Sequence, residues 1–121
     1  MSVDIQFDVE RRFTTVTVRG PLTIGVARET LSILYAEDVR PDRVLWDLSE
    51  GTLPPRPDAV MRLVDFIREH RGKEGARKVA IVVSSPGDFG LSRMYEALSS
   101  DLPFEVMVFR TSTDAKAWMG V

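Results

Sequence analysis

Residues 44–57 read VLWDLSEGTLPPRP: an apolar run ends at Asp47, a short polar patch follows, and three prolines fall at 54, 55 and 57. The run over 43–48 (RVLWDL) is apolar at odd and even positions alike, the pattern of a strand covered on both faces. Parallel α/β units gather ligands at the carboxyl ends of their strands. The polar, proline-stiffened connection after residue 48 is therefore read as an exposed rim, with Asp58 as the cap of the helix that follows.

Working outward, KVAIVV (78–83) is the clearest second buried strand, and FEVMVF (104–109) a third. Between them lie helical periodicities. Val60, Leu63, Val64 and Ile67 recur at i, i+3, i+4, i+7 after Asp58, with Gly72 as the stop. Leu91, Met94, Tyr95 and Leu98 share one side after the turn SSPGDFG (84–90). Ala115, Trp118 and Met119 mark a last short helix capped by Ser112 or Thr113. Upstream, Val26, Ala27, Thr30, Leu31, Ile33 and Leu34 mark a helix that opens near Pro21 and is stopped by Pro41.

The first twenty residues differ in kind. VDIQFDV (3–9) alternates strictly, with Val3, Ile5, Phe7 and Val9 on one face and Asp4, Gln6 and Asp8 on the other. FTTVTVR (13–19) follows after a polar turn with Val16 and Val18 inward, so the two runs form an antiparallel hairpin whose acids keep its edge soluble. The order is β-β-α-β-α-β-α-β-α: an α/β fold with a five-stranded, mostly parallel sheet and an antiparallel first strand.

Bulk composition sets limits on function. The chain has 121 residues, a length suited to one domain over 1–121. With no cysteine there is no disulfide and no thiolate chemistry. The net charge of −2 is spread over interspersed acids and bases, which speaks against a nucleic-acid partner. No apolar run approaches the ~20 residues of a membrane span. The N-terminus alternates and carries acids, unlike a signal peptide. The expected location is the cytoplasm.

This element order resembles that of the STAS family, the domains of sulfate transporters and anti-sigma factor antagonists, and among them the SpoIIAA-like members. The resemblance covers almost the whole chain and rests on short pieces: Gly20 before the first helix, Asp47-Leu48-Ser49 closing the third strand, KVAIVV in the fourth, and VMVF followed by TSTDAKAWM at the end. It implies strands in nearly sequential order and a regulatory binding role. Phosphorylation-controlled members carry Ser or Thr at the start of the second helix. Here the segment is GTLPPRPDAV, with Asp58 in place and no hydroxyl beside it, a fixed negative charge rather than a switchable one.

Candidate binding residues follow: Asp47, Ser49, Thr52, Arg56 and Asp58 on the first rim segment, Ser84 and Ser85 on the second. The functional reading is a protein-docking rim, with Ser49 or Thr52 open to modification. The plainer reading is that Asp47 and Ser49 satisfy loop amides, Asp58 caps, and the prolines lower unfolded-state entropy. Both are compatible, because a stiff loop lowers the ordering cost of binding.

SSPGDFG lacks a following lysine and carries Asp88, so it is a strand-to-helix connection before it is a phosphate cradle. His70, the sole histidine, sits in a charged helix end and brings no metal partners with it. No G-x-S-x-G elbow is present, so an enzyme, least of all a hydrolase, ranks last, and neither cofactor nor metal is expected. Arg62, Arg68, Arg71, Lys73, Arg77 and Lys78 gather near the second helix, diluted by Asp65, Glu69 and Glu74. They read as a solvated face, with docking of an acidic partner as the sharper alternative.

The methionines 61, 94, 107 and 119 and tryptophans 46 and 118 read as core packing. If all helices lay on one face of the sheet, the other would need cover from an apolar, lipid-like ligand or from a second copy in a homodimer. A small apolar or lipid-like ligand is the alternative function to protein docking.

Overall fold

The computed structural model describes residues 2–36, 42–70 and 77–121. Among these, five strands lie in sequential order: β1 (Ser2–Asp8), β2 (Phe13–Pro21), β3 (Arg43–Thr52), β4 (Lys78–Val83) and β5 (Glu105–Phe109). β1 pairs antiparallel with β2, and every later pair is parallel. Four helices alternate with them: α1 (Ile24–Leu34), α2 (Pro57–His70), α3 (Pro86–Leu98) and α4 (Ser112–Met119). Each parallel pair is joined through one helix, the crossover that parallel pairing requires.

The period-two alternation of the strands divides the core in two. Val16, Val18, Val44, Leu48, Val79, Ile81, Val83 and Val106 project toward one face, where α1 supplies Ala27 and Leu34. Leu45, Ala80 and Val82 project to the other, where α4 lays down Ala115 and Met119 with Trp118 beside them. That second face is thus covered by the chain's own last helix. This removes the reason for invoking a second copy or a lipid as its cover.

The β1–β2 turn is made by Arg12 at φ 51, whose N–H donates to Val9 O at 3.3 Å. Val3 and Ile5 pack on the core, but Phe7 and Val9 are exposed. α1 begins later than Pro21 suggests: Pro21 closes β2, and Thr23 caps the helix by accepting from Val26 N–H. Ile33 faces solvent, and the buried stripe is Ala27, Thr30, Leu31 and Leu34. Thr111, not Ser112 or Thr113, caps α4. Met61 and Met107 are exposed, so those two do not serve the core. The expected stops at Pro41 and Gly72 lie outside the described residues.

Candidate functional site

β3 does not end at Leu48. It runs on to Thr52 beside β2, with Arg19, Gly20 and Pro21 opposite Glu50, Gly51 and Thr52. What permits this is a register shift between Thr17 and Arg19. A bulge lets two strands stay paired past an irregularity. Gly20 adopts φ 81, a left-handed conformation that suits glycine, and Gly51 lies so close that a Cβ there would meet Val18 O at 2.7 Å. Ser49 and Thr52 therefore stand on an exposed strand end, not in a loop. The connection proper is short, Leu53 to Arg56.

That connection is fixed at both ends. Leu22 N–H donates to Thr52 O at 2.8 Å, and Leu53 N–H donates to Asp88 Oδ1 at 3.3 Å. Asp88 belongs to the first turn of α3, and its own N–H donates to Ser85 Oγ, the cap of that helix, at 3.1 Å. Asp88 is buried, and it joins the first rim segment to the second. Pro54, Pro55 and Pro57 stiffen what remains.

α2 begins at Pro57, a residue whose missing N–H costs nothing in the first turn. Asp58 is consequently inside the helix rather than at its cap. Its carboxylate sits in the first turn, where the helix dipole favours negative charge. Arg56 Nε approaches Asp58 Oδ1 at 3.1 Å, and Arg62 reaches Oδ2 at 4.0 Å. Arg56 and Pro57 are exposed.

The seven candidate residues do not form one patch. Asp47 stands on the side of β3 that carries Leu45, the face covered farther down by α4; Ser49, in the bulge where it and Leu48 together oppose Val18, donates its N–H to Asp47 Oδ1 at 3.0 Å. Arg56, Asp58 and Ser85 stand at the starts of α2 and α3, on the side of Leu48 and Val83. Ser84 and Thr52 are exposed at the strand tips between the two. Sequence reasoning used Asp88 only against a phosphate cradle and gave Gly51 no role. A glycine inside a β-rich run was the available signal for Gly51; Asp88 depends on a contact 35 residues away and left none.

Below the rim, α1, α2, α3 and the sheet line a partly open apolar pocket of about 70 Å³, with Trp46, Leu53 and Pro54 in its wall and Ser92 on the α3 side. His70 lies at the far end of α2, ~20 Å from the rim by the helical rise, stacked on Phe66 with Nδ1 2.9 Å from Phe66 O. Among the described residues no group of three or more His, Cys, Asp or Glu is placed to hold a metal, and no helix is long and apolar enough to cross a membrane.

The basic residues near α2 are dispersed. Arg68 donates to Asp101 Oδ1 at 2.7 Å and to Leu98 O at 2.9 Å, while Lys78 donates to Trp118 O and lies over its ring. Arg71 and Lys73 lie outside the described residues.

Sequentially ordered strands, an antiparallel first strand and a last helix alone on one face define the SpoIIAA-like α/β fold. Two solved structures share it over nearly their whole lengths. One is an uncharacterised protein of the DUF3478 family from Shewanella loihica with a SpoIIAA-like fold, 18% identical over 97% of this chain and 91% of its own, TM-score 0.62. The other is the anti-sigma factor antagonist SpoIIAA in its unphosphorylated form, 13% identical over 99% of this chain and 98% of its own, TM-score 0.61. No family model and no curated protein matches the sequence.

Proposed function

We propose that residues 1–121 act as one cytoplasmic, non-enzymatic regulatory domain that docks a protein partner through the rim on the α2–α3 side: Arg56, Asp58, Ser84 and Ser85, with Thr52 at its margin. The observation that carries this is the immobilised rim itself. Leu53 N–H bonds to Asp88, Leu22 N–H bonds to Thr52, and three prolines hold Arg56 out in solvent. A surface ordered in advance loses little entropy on binding. The fold shared with an anti-sigma factor antagonist supports a regulatory role. Asp58, a permanent charge at the start of α2, makes the docking constitutive rather than phosphate-gated. Asp47 stands on the α4 side of the sheet and is assigned no part in this contact.

The test is site-specific photo-crosslinking. A benzophenone side chain at position 56 should trap a discrete protein in extracts of the native host, and one at position 47 should not. Equal trapping from both positions, or trapping from 47 alone, overturns the assignment.

A further inference from the structure

β1 is an edge of the sheet: among the described residues it pairs with β2 alone. An edge strand presents unpaired backbone donors and acceptors, a template for another strand. The apolar side of β1 is also covered less well than that of its neighbour. Val16 and Val18 of β2 are fully buried, whereas Val3 and Ile5 are only half-buried, Phe7 is 45% exposed and Val9, just past the strand, 84%. Strand alternation puts Asp4, Gln6 and Asp8 on the opposite face, where all three are exposed.

We propose that two copies of the chain join antiparallel along β1 into one continuous sheet, about a two-fold axis at Ile5. The self-complementarity of the strand carries this. A two-fold axis normal to a sheet keeps each side chain on its own face, so opposed residues must share a face and only every second register is open. The register that opposes all seven residues sets Ile5 against the partner's Ile5, Val3 against the partner's Phe7, Asp4 against the partner's Gln6 and Ser2 against the partner's Asp8. Apolar groups meet apolar groups, and each acid meets a neutral side chain able to donate a hydrogen bond. Sliding one chain by two residues either way sets Asp4 against the partner's Asp4 or the partner's Asp8, and like charges directly opposed are destabilising. The acids that keep a lone edge soluble thus also select the register in which it pairs. Asp8 is further tempered by Arg11, whose N–H donates to its Oδ1 at 3.1 Å.

The other edge lacks this property. β5 reads EVMVF over Glu105–Phe109, with Arg110 after it. Its full-overlap register sets Glu105 against the partner's Phe109. The registers on either side set Glu105 against the partner's Met107, or Arg110 against the partner's Val106. Each places a charge opposite an apolar side chain. The second copy on β1 extends an edge and covers no face, so α4 keeps its place, and the contact is independent of partner docking at the rim.

The experiment is sedimentation equilibrium of the full chain over a concentration series reaching the millimolar range. The mass should rise from that of the 13.6 kDa chain toward twice that value. Gln6→Asp sets an acid against the partner's Asp4 twice in each dimer and should weaken association about 5- to 10-fold. Asp4→Asn/Gln6→Asp exchanges the two groups and should restore it. Asp8→Asn/Gln6→Asp carries the same net charge but leaves the opposed acids in place, and should not. All three positions are exposed, so the variants keep the fold. A mass that stays monomeric at every concentration overturns the dimer. A dimer that Gln6→Asp leaves unchanged overturns the β1 contact. Equal recovery in the two double variants overturns the register.

Discussion

The backbone N–H of Leu53 donates to Oδ1 of Asp88 across 3.3 Å, so a carboxylate from the start of α3 holds the chain leaving β3. Because Asp88 is buried, removing its acceptor strands a donor that water reaches poorly. Asp88→Ala should therefore cost about 1–2 kcal/mol, and Asp88→Asn, which keeps an oxygen at the same place, distinctly less. Urea denaturation gives the energies. Amide exchange should show Leu53 opening faster in the alanine variant only.

Gly51 faces a different constraint. A Cβ there would sit 2.7 Å from Val18 O and 3.0 Å from Gly20 O, both backbone atoms that cannot swing aside. Gly51→Ala should destabilise the fold by about 1–3 kcal/mol, as overpacking does. Gly25, inside α1 with open space for 4 Å around the point where a methyl carbon would stand, is the control. Gly25→Ala should stabilise by about 0.5–1 kcal/mol. Thermal melts of the two variants should move in opposite directions.

Arg43 ties distant parts of the chain together. Its Nη1 donates to Met119 O at 3.0 Å and Gly120 O at 3.4 Å, and its Nη2 donates to Arg11 O. The guanidinium thus satisfies carbonyls at the end of α4 and in the β1–β2 turn. Arg43→Met keeps the aliphatic stem and loses the donors, for an expected loss of about 1.5–3 kcal/mol. Amide exchange should quicken in α4 more than in α2.

Arg68 and Asp101 make an exposed pair with a definite pH signature. The hydrogen bond from Arg68 holds the Asp101 carboxyl below its ordinary range, and the same bond raises Arg68. With the folded value depressed, the unfolded chain binds the proton more readily. The stabilisation is thus complete above the ordinary aspartate value, near pH 4, and is lost as pH falls through the lowered folded value. Arg68 stays protonated in both states throughout that window. Asp101→Asn should be slightly less stable at pH 7 and should lose less stability than the wild type on acidification below about pH 4. Parallel acid-limb curves for the two proteins would contradict this.

Much of the architecture could be read from residue patterns. KVAIVV is apolar at every position but its first, and the structure buries Val79 to Val83 from both sides. The α2 stripe was legible for the same reason, since 3.6-residue spacing survives whatever packs against it. Strand and helix ends were not. β3 gains four residues because Gly20 and Gly51 allow β2 and β3 to stay together past a bulge, a property of the pair and of neither strand alone. The start of α2 turned on choosing between Asp58 as cap and Pro57 as first helical residue. The proline was the better signal, because its ring fixes φ near the helical value.

The candidate site was legible as a region but not as a surface. Asp47 lies near Arg56 and Asp58 in sequence, yet strand alternation sends it to the opposite side of the sheet, and the bulge at Leu48 and Ser49 breaks the period beyond it. Since no local pattern encodes the link from Leu53 to Asp88, the residue that fixes the rim was invisible until the two loops were seen together.

The most direct test of the docking rim is a comparison of two double variants against whatever partner position 56 captures. Arg56→Ala/Asp58→Ala should lose that partner by at least tenfold in affinity while staying folded and melting only slightly below the wild type, and Asp47→Ala/Ser49→Ala should bind normally. The reverse pattern, with binding lost only when Asp47 and Ser49 are replaced, would move the contact off the α2–α3 rim and contradict the account.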